Sequence, residues 1–396
     1  MRIHTILITL ITLFLCSAAV AGLVSANEAE RKALTVQLYN VRDYAPAAQP
    51  GGLNFAVEGG KLYAGGAEGW RRLPTPIALV AGAVALHPQQ AGVVYLGAAN
   101  EATIYVSSDS GQSWMKIPLA SQVVGGVTAI AVDGTNRLVY VGTDNDGVYR
   151  LRDVGSSMIA SGHLLLDEPV EEMVAAAGVA YIRTRWQLYR AEEMGLRWVA
   201  VENLPSPATA LALAQTTPPT IYVGTASSGV RASQDGVNWQ PVNNGLALTP
   251  GSQLYVNSLA VDPTQPAVVY AATSLIFGSA NAHTTPLGVS LSSDGGLGWS
   301  QLAAISDVAV AELLPVSGQT GALYALTEAS RTPLALGSAP GMTVVAARLE
   351  SRPVMGQSGT GTLAWVLAGL AAVGFALLLL EMRQHRHTFA PLGAGV

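Results

Sequence analysis

Seven short phrases, each centred on a tyrosine, recur along the chain and limit what it can fold into. They occupy positions 61–65, 93–97, 138–142, 179–182, 220–224, 268–272 and 322–326. Their tyrosines, Tyr63, Tyr95, Tyr140, Tyr181, Tyr222, Tyr270 and Tyr324, are 32, 45, 41, 41, 48 and 54 residues apart. One four-stranded blade of a β-propeller takes about 40–50 residues. The spacing therefore predicts an all-β, seven-bladed propeller.

The residues around the phrases support this prediction. A second apolar run precedes many phrases, for example at 83–86, 128–132, 210–213 and 258–261. Pro, Gly and Asp separate the two runs, which is the pattern of short strands joined by tight turns. The same stretch contains no long amphipathic helical pattern, so the interpretation stays all-β.

A second motif, S-x-D-x-G-x-x-W, appears twice in full and twice in degenerate form. The full copies contain Ser107, Asp109, Gly111 and Trp114, and Ser292, Asp294, Gly296 and Trp299. The degenerate copies keep Gly195 and Trp198, with Glu193 in the acid position, and Gly236 and Trp239, with Gln234 in that position. We expect a structural role, in which the motif forms the turn between the third and fourth strands of a blade.

These motifs resemble the Asp-box, or BNR repeat, of the Asp-box β-propeller superfamily. The resemblance runs from about Leu53 to Glu350. On these motifs the chain is similar to sortilin-type, photosystem II assembly factor-like and sialidase-like propellers. The resemblance implies the propeller fold, and it leaves function open because this scaffold serves enzymes and binding modules alike.

The two ends of the chain are apolar, while charged residues make up only 12% of the whole against about 25% in an average protein. Residues 1–26 predict a signal peptide, with an uncleaved membrane anchor as the alternative. Residues 27–52 are expected to be an extended segment and 53–350 the propeller. Residues 351–361 predict a linker, 362–380 one transmembrane helix and 381–396 a cytoplasmic tail.

Net charge limits the kinds of partner that the chain can bind, and cysteine content limits its disulfides. The formal net charge is −5, and the segment between the two apolar ends is more acidic still, which argues against nucleic acid as a partner. The only cysteine, Cys16, lies in the predicted signal segment. A cleaved chain would therefore contain no disulfide.

Catalytic and metal sites are not expected. The arginine clusters at 70–74 and 181–185 do not match the Arg-Ile-Pro motif that the sialidase resemblance would require. Glu168, Glu171 and Glu172 lie close in sequence, and sequence alone does not place them at a central channel. The histidines between the apolar ends are widely separated, and the 143–147 segment, which resembles the start of a calcium loop, is interpreted as a simple turn.

One segment stands out as a possible partner-binding loop. Leu275, Ile276 and Phe277 belong to an insertion between Tyr270 and Ser290. Such insertions map to one face of a repeat protein, where apolar residues can contact a partner. The three residues could equally extend a strand into the core, and both interpretations stay open.

The sequence predicts a membrane-anchored, extracytoplasmic propeller in the cell membrane that acts as a non-catalytic recognition or assembly scaffold. The expected partner is an envelope or membrane protein, with a glycan possible and no cofactor. The alternative is a sialidase-like glycoside hydrolase or a carbohydrate-binding protein.

Overall fold

The computed structural model describes residues 35–36, 38–66, 69–119, 125–155, 157–278, 282–304 and 308–337. The predicted signal peptide, linker, transmembrane helix and tail lie outside these residues. Among the residues that are described, there is no helix with the length and hydrophobicity of a membrane-spanning segment.

The described chain forms seven sheets, each built from consecutive strands. The first four sheets run from the N-terminal side. Blade 1 contains β1 (Thr35–Val36), β2 (Val41–Ala45), β3 (Asn54–Glu58), β4 (Lys61–Gly66) and β5 (Gly69–Arg72). Blade 2 contains β6 (Ala81–Leu86), β7 (Val94–Ala98), β8 (Thr103–Ser107) and β9 (Met115–Pro118). Blade 3 contains β10 (Val127–Asp133), β11 (Leu138–Thr143), β12 (Val148–Asp153) and β13 (Met158–Leu164). Blade 4 contains β14 (Val170–Ala176), β15 (Val179–Thr184), β16 (Leu188–Glu192) and β17 (Arg197–Ala200).

The remaining sheets complete the seven. Blade 5 contains β18 (Ala208–Ala214), β19 (Thr220–Thr225), β20 (Val230–Ser233) and β21 (Gln240–Pro241). Blade 6 contains β22 (Ser252–Asp262), β23 (Gln265–Phe277), β24 (His283–Ser292) and β25 (Ser300–Ala303). Blade 7 contains β26 (Val310–Pro315), β27 (Ala322–Thr327) and β28 (Leu334–Gly337). A one-turn 3-10 helix, Glu193–Gly195, joins β16 to β17.

The sheets follow one another radially, so the predicted all-β, seven-bladed propeller is confirmed. The innermost strands of consecutive blades, β2, β6, β10, β14, β18, β22 and β26, contact each other around a central channel. Blades 7 and 1 close the ring through one buried apolar cluster, in which Val41 and Tyr44 pack with Leu314 and Leu326. A parallel bridge between Asn40 and Arg331 lies beside that cluster.

Blade 1 begins earlier than the sequence predicted. Strand β2 lies in the predicted extended segment 27–52, yet it is the innermost strand of the first blade. Tyr63, taken as the first repeat tyrosine, lies on β4, the third strand, whereas the other six lie on second strands. Phe55 holds the equivalent place on β3, because it pairs with Ala45 as Tyr95 pairs with Ala85. Phe55 and Tyr95 are 40 residues apart, which explains the short first spacing.

The glycine that ends several phrases allows neighbouring blades to pack closely. A Cβ atom on Gly97, Gly142 or Gly224 would lie 2.4, 2.7 or 2.6 Å from a valine of the next blade. Those valines are Val127, Val170 and Val256. A larger residue at these glycines would force the blades apart, because protein interiors have no room for an added methyl group.

The ring has two faces, which we name by their features. The turn face carries the connections between first and second strands and between third and fourth strands, including the S-x-D-x-G-x-x-W segments. The bulge face carries the connections between second and third strands and between blades. Each innermost strand begins at the bulge face.

Candidate functional site

Every innermost strand contains a β-bulge close to its start. The register of each pairing with the second strand skips one residue, and that residue is left facing the channel. In blade order the bulged residues are Arg42, Gly82, Thr128, Glu171, Thr209, Asn257 and Ala311. The seven residues form a ring at the bulge-face mouth of the channel, with one cation in blade 1 and one anion in blade 4.

The channel behind this ring is a cavity of about 510 Å³. All seven bulged residues line it, together with the residue that follows most of them. Its charged lining consists of Arg42, Asp43, Glu171, Glu172, Arg183, Glu312 and Arg331. The cavity is therefore polar, and it lies in the size range of small-ligand sites.

Arg183 holds the two glutamates of blade 4. It lies on β15 directly across from Glu172, to which its Nε donates a 3.1 Å hydrogen bond. Its Nη1 atom lies 2.5 Å from Oε2 of Glu171. One guanidinium thus binds both carboxylates and offsets one of the two negative charges that they carry when ionised.

Arg331 makes similar bonds at the junction of blades 7 and 1, to one carboxylate and one main-chain carbonyl. Its Nη2 donates to Oε2 of Glu312 over 2.8 Å, and its Nε donates to the carbonyl of Val41. Asp43, beside it on blade 1, accepts a 2.7 Å hydrogen bond from the Val84 N–H group of blade 2. The junction of blades 7 and 1 is therefore held by Arg331 as well as by apolar packing, whereas Asp43 joins blade 1 to blade 2.

Burial shifts the pKa values of these carboxyl groups upward. Burial raises the pKa of Asp43 to about 6, although the Val84 and Tyr44 N–H groups and two arginines oppose the rise. The pKa of Glu312 rises to about 8 because of burial and then because of the charge of Asp43. Asp43 therefore ionises before Glu312. Burial also raises the pKa of Glu172, against the effect of Arg183.

Side chains of one blade cap main-chain N–H groups of the next at three of the seven junctions. The acceptors are the residues directly after the bulge: Asp43 receives Val84 N–H, Glu172 receives Leu211 N–H at 3.1 Å and Ser258 receives Leu313 N–H at 3.1 Å. These carboxylates are thus part of the framework that joins the blades.

The two full S-x-D-x-G-x-x-W segments lie between the third and fourth strands of blades 2 and 6. In blade 2, Ser107 Oγ accepts from Gly111 N–H at 2.8 Å, and Asp109 Oδ1 accepts from Gln112 and Ser113 N–H groups at 2.9 Å each. In blade 6, Ser292 and Asp294 make the matching bonds to Gly296 and Gly298 N–H groups at 2.8 and 2.9 Å. Hydrogen bonds from serine hydroxyls and main-chain N–H groups lower the pKa of Asp109 and of Asp294.

The degenerate segments differ from the alignment made on the sequence. In blade 5 the acid is Asp235, not position 234: its Oδ1 accepts from Val237 and Asn238 N–H groups at 2.8 Å each, and Ser233 takes the serine place. The turn is one residue shorter than the full motif, which hid the match. In blade 4 the Glu193 side chain is exposed and lies 4.0 Å from Arg197, so it does not organise its turn as Asp109 does.

In each segment, an aromatic ring of the preceding blade packs against the glycine. Tyr222 Oη donates to the Gly295 carbonyl at 2.9 Å, beside Gly296. A Cβ atom on Gly195 would lie 2.4 Å from the Tyr140 ring, and one on Gly236 would lie 2.2 Å from the Tyr181 hydroxyl. The glycines also adopt positive φ, for example +83° at Gly195. Both the backbone and the neighbouring ring require glycine here.

The tryptophans reach back to the preceding blade as well. Trp114 Nε1 donates to the Pro74 carbonyl at 3.0 Å, and Trp299 Nε1 donates to the Val242 carbonyl at 2.8 Å. Trp198 packs edge-to-face on Tyr140, with ring centroids 5.8 Å apart. Trp239 lies among partly buried residues of blades 4 and 5, and its Nε1 atom is buried without a hydrogen-bond partner among the described residues.

The residues of the predicted partner loop extend a strand. Leu275, Ile276 and Phe277 are the last residues of β23, and Leu275 is buried in the cluster between blades 5 and 6. In the other blades the innermost strand begins one residue before its bulge, whereas β22 begins at Ser252, five residues before Asn257. In blade 6 the end of β23 and the start of β24 therefore project beyond the bulge face as an extended hairpin, and the start of β22 pairs alongside it.

The remaining sequence candidates are placed as follows. Glu171 and Glu172 line the channel, whereas Glu168 does not. The 143–147 segment is a turn in which Thr143 Oγ1 donates to the Gly147 carbonyl at 2.9 Å, and Asp144 Oδ1 accepts from Gly126 N–H at 3.0 Å. Within the described ranges, no group of three or more His, Cys, Asp or Glu side chains is arranged to hold a metal ion.

The ring of bulged residues was not predicted from the sequence. Arg42 and Glu312 were not singled out, because a bulge is set by pairing between strands and leaves only a weak local pattern, and Arg331 lies in the connection between β27 and β28. A signal does exist in the innermost strands, at 41–44 and 170–173, which read Val-Arg-Asp-Tyr and Val-Glu-Glu-Met. In both segments two consecutive polar residues lie between apolar ones, whereas a regular half-buried strand would alternate apolar and polar residues.

Comparison with solved structures supports the fold. The chain is similar to the GH74 xyloglucanase from Xanthomonas campestris, with 18% identity over 74% of this chain and a TM-score of 0.52. It is similar to YCF48 bound to D1 peptide, with 16% identity over 76% of this chain and 95% of that chain and a TM-score of 0.54. A chain of the mitotic checkpoint complex matches with 10% identity over 77% of this chain and 89% of that chain, with a TM-score of 0.53.

These neighbours establish a shared propeller architecture and include both an enzyme and protein-binding propellers. The match spans about half, 51%, of the xyloglucanase chain. No protein-family model matches the sequence. No curated protein matches it either.

Proposed function

We propose that this chain is a non-catalytic, extracytoplasmic recognition propeller of the Asp-box type, anchored in the cell membrane by its C-terminal apolar segment. Its main support is the state of the channel carboxylates. Glu171 and Glu172 are held by Arg183, Glu312 is held by Arg331, and Asp43 accepts main-chain N–H groups. Each carboxylate is engaged by the chain itself.

A glycoside hydrolase needs a different arrangement. Its two carboxyl groups face each other across a sugar, one as an acid and one as a nucleophile or base. Three arginines do line the channel, as a sialidase-like site would require, but Arg183 and Arg331 are already bound to carboxylates of this chain. Arg42, the third of these arginines, is exposed.

The bulge face is the surface we assign to a protein partner. It carries the extended hairpin of blade 6, with Ile276 and Phe277 partly exposed near its tip. Trp186, in the connection between β15 and β16, lies on the same face and is 75% exposed. Exposed aromatic and aliphatic side chains on one face are typical of protein-binding surfaces.

Affinity purification of the full-length chain from solubilised membranes, followed by mass spectrometry, tests this proposal. We expect a reproducible partner that is lost when Ile276 and Phe277 are both changed to Ser. Leu297→Ser, on the turn face of the same blade, is the matched control and should retain the partner. Equal recovery from the hairpin variant and the wild type would contradict the assignment of this face.

A glycoside hydrolase is the second candidate, favoured by the similarity to the GH74 xyloglucanase fold. It predicts hydrolysis that depends on Glu171 or Glu172. Turnover of a xyloglucan oligosaccharide by the wild type and by variants of these two glutamates separates the two candidates.

A further inference from the structure

Within the part of the chain that the structure describes, four junctions between blades lack the acceptor that caps the next blade at the other three. The residue after the bulge is Ala83 in blade 2, Ala129 in blade 3, Ala210 in blade 5 and Glu312 in blade 7. Glu312 is bound to Arg331, and the three alanines have no polar atom in their side chains. At those three alanine junctions the receiving main-chain positions are Ile130, Met173 and Leu259.

These positions match the capped ones in register. Val84, Leu211 and Leu313 each lie two residues after a bulge and pair with the second strand at Leu96, Val223 and Ala325. Ile130 and Met173 hold the same place and pair with Val141 and Ile182. Their N–H groups therefore face the channel, as the capped N–H groups do.

Two open junctions are adjacent, and the residues around them favour a ligand. Thr128, the bulged residue between them, has a buried Oγ1 atom without a hydrogen-bond partner among the described residues. Gly82 and Ala129 line the cavity and present no polar side-chain atom to it. Arg42 of blade 1 is exposed on the near side of Gly82. The third open junction, at Ala210, lies alone between the capped ones.

We propose that the channel sector formed by blades 1–4 binds a carboxylate. The carboxylate takes hydrogen bonds from the N–H groups of Ile130 and Met173 and from the Thr128 hydroxyl, and it faces the guanidinium of Arg42. At the capped junctions such N–H groups donate to carboxylate oxygens of the chain itself, those of Asp43 at 2.7 Å and of Glu172 at 3.1 Å. A ligand carboxylate would supply the same acceptor where the chain has alanine.

The charges of the channel orient such a ligand. On one side Arg42 and Arg331 lie near Asp43 and near Glu312, whose raised pKa reduces its negative charge at neutral pH. On the other side Arg183 faces two glutamates. Met173 follows Glu171 and Glu172 on blade 4, whereas Thr128 and Ile130 lie on blade 3, nearer to Arg42, so a carboxylate is drawn to the side of this sector that faces blade 1. Carboxylate binding in the channel does not depend on the assignment of a protein partner to the bulge face.

Ligand-observed NMR titration of the full-length chain tests the site. The probes are acetate, acetamide, triglycine, triglycine amide and inorganic phosphate. We expect acetate to bind and acetamide not to bind. Binding of triglycine but not of its amide would support the site and extend it to the carboxylate end of a peptide, whereas binding of acetate alone would support it as a site for a small free acid.

Three variants locate the binding. Arg42→Gln and Ala129→Asp should each weaken acetate binding by about tenfold or more, the first by removing the cation and the second by supplying an internal acceptor. Arg185→Gln, an exposed arginine outside the channel, is the matched control and should bind as the wild type does. Because Arg42 is exposed, its variant should fold even if Ala129→Asp does not. Failure of acetate to bind, binding of phosphate alone, or binding unchanged in Arg42→Gln would overturn the proposal.

Discussion

The hydroxyl of Tyr222 donates a 2.9 Å hydrogen bond to the main-chain carbonyl of Gly295, joining the second strand of blade 5 to the outer turn of blade 6. Tyr140 makes the same bond to Met194 of the next blade at 2.8 Å. In blade 1, Phe55 lies where a Cβ on Gly111 of blade 2 would be 3.8 Å from its ring. The tyrosine phrase and the S-x-D-x-G-x-x-W segment are therefore two halves of one contact between blades.

Tyr222→Phe should lower the free energy of unfolding by about 1–2 kcal/mol, because the Gly295 carbonyl would lose its partner in a partly buried place. Tyr63→Phe is the matched control: its hydroxyl makes no hydrogen bond within the described residues, so the change should be close to neutral. Urea denaturation of both variants measures the difference. Equal losses would contradict the contact between blades.

Gly236→Ala should destabilise the protein by more than its backbone conformation alone explains. Its φ is +68°, and an added Cβ would lie 2.2 Å from the Tyr181 hydroxyl. Gly251, with φ +84° and open space where a Cβ would be added, is the control for the backbone effect. We expect about 1 kcal/mol from the backbone in both variants and about 1–3 kcal/mol more at Gly236. Similar melting temperatures for the two variants would show that the ring does not occupy that space.

Asp235→Ala should lower the melting temperature clearly, while Gln234→Ala should have little effect. Asp235 accepts from two main-chain N–H groups and from the Asn238 side chain at 2.7 Å, whereas Gln234 is exposed. Thermal unfolding followed by circular dichroism compares the two variants. A larger effect at Gln234 would restore the alignment that the sequence suggested.

Stability should fall as the pH rises from about 5 to about 8. Burial raises the pKa of Asp43 to about 6 and of Glu312 to about 8, above their ordinary values. In this window the folded chain holds protons that the unfolded chain has released, so raising the pH favours unfolding. The slope can reach about 1.4 kcal/mol per pH unit for each proton.

Glu312→Gln tests the origin of this pH dependence, because the amide keeps the shape of the side chain and cannot ionise. We expect the decline in stability between pH 6 and pH 8 to become shallower in this variant. Urea titrations at pH 5.5, 7 and 8.5 provide the comparison. An unchanged slope would place the titrating group elsewhere.

The sequence predicted the parts of the fold that local chemistry decides. The tyrosine phrases and the Ser107–Trp114 type of motif repeat because the same contact recurs between several pairs of blades, so the periodicity of the sequence reveals them. Phe55 was not predicted because blade 1 has a phenylalanine where the other blades have the repeat tyrosine. Asp235 was not predicted because its turn is one residue shorter than the full motif.

The channel could not be predicted in the same way. Glu171 and Glu172 were noticed only as neighbours in sequence, and Arg331 meets Val41 only because the two ends of the ring come together. The bulge at Arg42 depends on the register between β2 and β3. Such features depend on strand register and on closure of the ring, and the local sequence indicates them only weakly.

The most direct test of the proposed function is a hydrolysis assay of the full-length chain with xyloglucan oligosaccharides and a fluorogenic sialoside, run beside Glu171→Gln and Glu172→Gln. If the channel carboxylates serve as framework, the wild type shows no turnover above either variant. Turnover by the wild type that is lost in Glu172→Gln would contradict the non-catalytic account.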